Sequence, residues 1–254
     1  MGSGFESKGQ CHDMWKRKQS ARRQSSYGQA SDEQAAEGES ATPVPKSGTV
    51  TMLQVQKRNK ERVNVYLDGE YAFAVSMNAA LGLKKGQHLS AAETDALKQD
   101  GETDLAYQRA MRFLGMRPRS TAEIVTYLER KEYDESIVEV VVRRLHERGY
   151  LDDGAFARFW VDNRNRFRPR GAQALRYELR QKGVDRDTIE ATLEEQDEDE
   201  AAWTAAEPKI GRWAGLEKRE FEQKLIAFLA RRGFRFDVCR RAAGRAWEQL
   251  QEDA

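Results

Sequence analysis

The sequence predicts a mainly α-helical fold of tandem three-helix repeats in an elongated arrangement, preceded by a small β-hairpin-containing domain. Two observations predict it. The first is an internal repeat: Ser120, Ile124, Leu128, Tyr133, Ile137, Val141 and Leu145 are answered by Gly171, Leu175, Leu179, Val184, Ile189 and Leu193, and again by Phe221, Leu225, Leu229, Phe234, Val238 and Ala242. The copies are offset by 51 residues (171 minus 120) and 50 residues (221 minus 171), and inside each copy the apolar positions keep the four-residue step of a helix face. One such unit carries too little apolar surface for a core of its own, so neighbouring units must pack on each other. The second observation is a change of period upstream, where residues 49–76 alternate apolar and polar positions as strands do.

Taken in order, residues 1–48 are rich in Ser, Gly, Gln, Glu, Lys and Arg, a mixture that cannot offset chain entropy by burial, and a disordered tail is expected there. Its basic cluster, Lys16, Arg17, Lys18, Arg22 and Arg23, reads as solvated charge. Residues 49–101 form the small β-containing domain. Asp68-Gly69 supplies the positive φ angles of a tight turn, so residues 62–76 should be a hairpin, followed by a short helix begun by Ser76 or Asn78. Ser90-Ala-Ala-Glu93 is a capping box that opens another helix, and the domain should close near Gly101.

The first repeat, residues 102–150, then begins with a helix from Leu105 to about Met116, stopped by Pro118; Ser120-Thr-Ala-Glu123 is a second capping box, and Asp134 starts a helix that Gly149 ends. In the second repeat, residues 151–196, Asp152 or Asp153 caps a helix bearing Phe156, Phe159 and Trp160, Gly171 precedes the next helix, Gly183 ends it, and Asp185 opens the third. The third repeat, residues 197–254, follows the acidic run Glu194, Glu195, Asp197, Glu198, Asp199 and Glu200; its first helix carries Trp203 and Trp213, with Pro208 expected to kink or split it.

Composition narrows the function classes. Lys plus Arg total 43 against 42 for Asp plus Glu, so the whole-chain charge of +1 favours neither nucleic acid nor an acidic surface, and only local charge is informative. Cys11 and Cys239 lie at opposite ends, which suggests neither a disulfide framework nor a metal cluster and fits a reducing cytoplasm. No signal peptide and no run of eighteen apolar residues is present, so export and membrane spanning are not expected. His12, His88 and His146 are scattered without a Ser or Cys partner, Gly82-Leu-Lys-Lys-Gly86 lacks phosphate-loop spacing, and Asp152-Asp153 reads as helix capping; catalytic residues, metal and cofactor are all expected to be none.

Three segments carry a family resemblance: Gly149-Tyr-Leu-Asp-Asp153 followed by Ala155-Phe-Ala157, then Arg168-Pro-Arg-Gly171 with Leu175 and Glu178-Leu179, and Lys182-Gly183-Val184. Here the chain closely resembles the RecX family, regulators of the RecA recombinase, and the resemblance covers residues 49–251. In the third repeat it holds mainly through spacing, with Arg231-Arg232-Gly233-Phe234 standing where Gln181-Lys182-Gly183-Val184 stands earlier. The resemblance implies a non-enzymatic protein that lodges along the groove of RecA assembled on single-stranded DNA, spans neighbouring protomers and restrains filament growth, ATP hydrolysis and strand exchange; a monomer is expected.

The local charge that fits such a partner lies between Phe156 and Lys182. Arg158, Arg164, Arg166, Arg168, Arg170, Arg176, Arg180 and Lys182 face only Asp162 and Glu178, a balance of eight minus two, or +6. These eight residues are the candidate filament- or nucleic-acid-binding set, with Arg158 to Arg170 expected along one ridge, because guanidinium groups take phosphates and carboxylates alike in forked geometry. The bland reading of Arg180 and Lys182 is helix-end complementarity. Aromatic residues of the first helices are expected to pack between helices, with one exposed ring. The alternative function is a helix-turn-helix DNA-binding protein. Against it, the outward residues of the last helix are acidic in the first two repeats, and only Arg240, Arg241 and Arg245 in the third suit a recognition helix.

Overall fold

The structure, a computed structural model, describes residues 47–252. The expected tail, its basic cluster, Cys11 and His12 lie outside the described residues, except that Gly48, placed at the tail's end, begins the first strand. Strands β1 (Gly48–Val55), β2 (Arg62–Leu67), β3 (Glu70–Ser76) and β4 (His88–Leu89) form an antiparallel sheet in the order β3-β2-β1-β4. The β2–β3 hairpin turns at Asp68 and Gly69, whose φ angles of 49° and 93° are those that sequence predicts for the turn. Val50, Val63, Val65, Leu67, Phe73 and Val75 point inward and bury against Leu83 and Leu89. Ser76 caps the short helix α1 (Met77–Ala80).

From Ser90, whose capping box makes both of its bonds, helix α2 runs unbroken over Ala91–Met116. Two helices are expected here and one is found. Gly101, placed by sequence at the domain's end, lies in mid-helix and is buried against β3: a Cβ at that position would collide with the Ala74 carbonyl. Close backbone approach offsets the roughly 1 kcal/mol that an interior glycine costs a helix. Arg62 clamps the contact, Nη1 donating to Gly101 O at 3.2 Å and Nη2 to Ala74 O at 3.0 Å.

Three helical units follow. The first combines the end of α2 with α3 (Thr121–Glu129) and α4 (Glu135–Glu147); the second is α5 (Asp153–Phe167), α6 (Ala172–Gln181) and α7 (Arg186–Glu194); the third is α8 (Glu198–Ile210), α9 (Lys218–Ala230) and α10 (Phe236–Glu252). Leu128, Leu179 and Leu229, matched by the repeat register, are each fully buried, each in the core of its own unit. Burial of each such leucine contributes about 2–3 kcal/mol. Pro208 does not split α8, which continues to Ile210 and tightens into a 3₁₀ turn over Gly211–Trp213.

Adjacent units meet along two matching seams. In each, the first residue of the next unit's leading helix caps the middle helix of the unit before: Asp153 Oδ1 accepts from Thr121 N at 2.8 Å, and Glu198 Oε1 accepts from Ala172 N at 3.1 Å. Asp152, not Asp153, caps α5 itself, accepting from Ala155 N at 2.9 Å. Each seam also brings a glycine turn of the later unit against the middle helix of the earlier one. Gly183 (φ 79°) lies against Ala122, and Gly233 (φ 84°) against Ala174. The equivalent turn of the first unit meets no preceding repeat, and there an exposed Glu132 holds φ 61°.

Candidate functional site

The eight candidate cations divide by partner. Glu178 on α6 gathers three neighbours: Trp160 Nε1 donates to Oε2 at 2.8 Å, Arg164 Nε donates to the same oxygen at 2.7 Å, and Arg170 Nε lies 3.9 Å from Oε1. Arg164 and Lys182 also sit over the Trp160 ring, 4.7 and 5.0 Å from its centroid. Arg176 makes a two-bond fork with Glu190, both at 2.7 Å; those hydrogen bonds raise the guanidinium pKa and lower that of the carboxyl. Among the described residues, Arg158, Arg166, Arg168 and Arg180 form no ion pair, and all four are exposed.

The expected single ridge is not formed. At about 100° per residue, Arg158 and Arg166 share the outward stripe of α5 with Asp162 between them, whereas Arg164 is turned about 120° from Arg158 toward Trp160 and Glu178. Of the aromatic residues on α5, Phe156 is buried and Trp160 half-buried, while Phe159 is exposed, as is Phe167 at the helix end. Phe159, Asn163, Arg166 and Phe167 occupy one outer strip, spaced by three, four and seven or eight residues.

The two seams differ in charge. In the first, Ser120 Oγ donates to Lys182 O at 2.6 Å, and Glu123 receives Lys182 Nζ at 2.8 Å together with a fork from Arg117 at 2.8 and 3.1 Å. Burial alone would push the Glu123 carboxyl up, but the hydrogen bonds and charges of Arg117 and Lys182 outweigh it and hold it at about 2. Shifted by 51 residues, Arg117 becomes Arg168, Arg119 becomes Arg170, Ser120 becomes Gly171, Glu123 becomes Ala174 and Lys131 gives way to Lys182; by 50, Lys182 becomes Arg232. The second seam therefore keeps the cations and loses the carboxylate. Beside the Glu198 cap, two of its contacts run backbone to backbone, Gly171 N donating to Arg232 O at 3.1 Å and Gln173 N to Gly233 O at 3.2 Å. Arg232 Nη1 donates to Pro169 O at 3.2 Å and its guanidinium packs over the Phe228 ring, 4.7 Å from the centroid, near Arg168 and Arg170; burial first, then those two charges, lower its pKa.

Arg232 was not among the sequence-based candidates, and the repeat register is the signal that finds it. On the proposed recognition helix α10, Arg241 forks onto Asp199 at 2.8 and 2.9 Å and Arg245 lies 3.7 Å from Glu200, so the acidic run neutralises two of its three cations. Among the described residues, no group of three His, Cys, Asp or Glu side chains is placed to hold a metal ion, and no helix is long and apolar enough to cross a membrane.

Comparison with known proteins follows the same order along the chain. The Regulatory protein RecX N-terminal domain matches residues 48–90, and the first, second and third RecX three-helix domains match residues 106–145, 152–193 and 196–243. Regulatory protein RecX of Bacillus subtilis (strain 168) is 32% identical over 209 residues, covering 80% of this chain and 79% of that protein. Its namesake in Lactobacillus delbrueckii subsp. bulgaricus (strain ATCC BAA-365 / Lb-18) is 35% identical over 190 residues, covering 73% and 70%. A crystal structure of regulatory protein RecX aligns with a TM-score of 0.61 at 29% identity, over 75% of this chain and 96% of that one. RecX from Lactobacillus salivarius shares the fold at 20% identity and a TM-score of 0.52, over 59% and 97%.

Proposed function

The chain belongs to the RecX family of regulatory proteins, and from that premise we propose that it is a non-enzymatic cytoplasmic regulator that binds RecA assembled on single-stranded DNA and restrains its recombinase and ATPase activities. The observation that carries this reading is the complete series of four RecX domains, in order, over residues 48–243. In this reading the units at residues 102–150, 151–196 and 197–254 lodge as a monomer along the filament groove and bridge neighbouring protomers, so that these cannot rearrange during the ATP cycle. The cationic residues left without carboxylates, Arg158, Arg166, Arg168 and Arg180, with Arg170 beside them, meet acidic groups or DNA phosphates. Arg164, Arg176 and Lys182, already paired, orient the surface instead. Titrating the protein into RecA on single-stranded DNA, with ATP hydrolysis and filament length followed together, tests this. Both should fall as protein is added; no change in either would overturn it.

A further inference from the structure

The two edges of the sheet are treated differently. Helix α2 packs on β3, with Gly101 against the Ala74 carbonyl, and that carbonyl accepts from Arg62. The other edge is closed only at its start. There β4 pairs with Gly48 and Thr49, Val50 exchanges bonds of 2.8 Å with Gln87 O and Gly86 N, and at Gly86 (φ 87°) the loop parts from the edge. Beyond that point, among the described residues, no strand lies beside β1.

A bulge decides which groups are left open. Thr51 is the extra residue in the β1–β2 register, so the alternation along β1 shifts by one. Val50 turns its main-chain groups to the β4 side, whereas Gln56 N, beyond the bulge, donates across to Arg62 O at 2.9 Å. The N–H and C=O groups of Leu53 and Val55 therefore point out from the open edge. Their side chains oppose the buried Val65 and Val63 on the inner face, yet Val55 is 43% exposed, for want of a neighbour on its edge side. Residues 51–55, Thr-Met-Leu-Gln-Val, carry none of the charges, prolines or glycines with which native sheets blunt their edges.

Positive charge flanks this gap at both ends. Lys84 and Lys85 stand in the loop that parts from the edge, and Lys57, Arg58 and Lys60 in the turn that follows β1; all five are exposed, and among the described residues none forms an ion pair. A second copy paired here in antiparallel fashion would set the cations of one chain against those of the other. An open row of main-chain groups serves another main chain rather than a nucleic acid. We propose that the open edge of β1 binds an extended acidic peptide segment of a partner protein by strand addition. The peptide backbone ladders with Leu53 and Val55, its alternate apolar side chains cover those two residues, and carboxylates at its ends meet the two basic loops. This goes beyond the filament reading and does not depend on it.

The test uses the full chain without recombinase, so that its failure is separate from failure of that reading. Binding of a labelled peptide, alternating valine and threonine between paired glutamates, is followed by anisotropy, and exchange of the Leu53 and Val55 amides by NMR. Wild type should bind at low salt, and both amides should exchange more slowly when bound. The same peptide N-methylated at alternate amides keeps its charge but loses the ladder, and should bind roughly tenfold more weakly or worse. Val55→Pro removes an outward N–H without touching the β2 pairing and should weaken binding roughly tenfold. Lys57→Gln and Lys85→Gln should each weaken it about threefold and flatten its salt dependence.

Thermal unfolding checks the fold of each variant; if Val55→Pro does not fold, the N-methylated peptide carries the test on the wild-type chain. Absence of peptide binding at low salt overturns the proposal, as does equal binding of the N-methylated peptide, which would leave charge alone at work. Slow exchange of both amides in the free chain would mean that another part of the chain or a second copy already covers the edge, and equally overturns it.

Discussion

The two seams between helical units share a plan and differ in what executes it. Both cap a middle helix with a carboxylate from the next unit and both press a left-handed glycine turn against the preceding repeat. The first is then closed by side chains: a serine hydroxyl on a carbonyl and one glutamate shared by two cations. The second is closed mainly by backbone, through Gly171 and Gly233, and leaves Arg168 and Arg232 without a carboxylate partner, while Arg170 lies 3.9 Å from Glu178. A polar seam complete in itself has its charges occupied, whereas one closed by main chain keeps its guanidinium groups available. On the proposed function, that difference makes the second junction part of the contact surface.

The largest way to break the comparison is at Gly171, where a Cβ would strike the Gly233 carbonyl and the Phe234 amide, both main-chain atoms that cannot swing aside. Gly171→Ala should cost about 3 kcal/mol or more in urea unfolding, although the equivalent residue of the first seam is a serine.

Next is Glu123→Gln, which strands Lys182 and Arg117 half-buried. It should cost on the order of 2–3 kcal/mol at neutral pH. Because the folded carboxyl titrates at about 2, below its ordinary 4.5, that stabilisation is present above about pH 4.5 and disappears as pH falls through 2. Wild type and variant should therefore converge in stability measured across that acid range.

Ser120→Ala removes both the bond to Lys182 O and the cap on Glu123 N, and should cost about 1–2 kcal/mol by the same measurement. Smallest is Glu132→Gly, which releases a side chain from a left-handed backbone that no neighbouring repeat requires; stability should rise by about 0.5–1 kcal/mol.

Most of the helical architecture was legible because periodicity and punctuation agreed: the two capping boxes, the Asp68-Gly69 turn and the apolar positions at 128, 179 and 229 all stand where their local chemistry puts them. What was not legible depends on contacts distant in sequence. Gly101 reads as a boundary until Ala74 is seen against it, and Asp153 reads as a cap for its own helix until Thr121 is found to be its partner. The eight-residue cationic set was visible as charge density, but nothing local tells that Arg176 is spent on Glu190 while Arg168 is free. Arg232 lies 62 residues beyond Arg170 and joins it only through the seam. Had the repeats been aligned position by position, the exchange of Glu123 for Ala174 would have marked the place.

The proposed grip on the recombinase filament is the arginine surface of the middle unit, Arg158, Arg166, Arg168 and Arg180 with Arg170 beside them. The most direct measurement is the affinity of wild type and of Arg166→Glu/Arg170→Glu for RecA on single-stranded DNA at low and at raised salt. Wild type should bind tightly at low salt and loosen as salt screens the contact, while the double variant should bind weakly throughout. Equal affinity of the two proteins at low salt would contradict it.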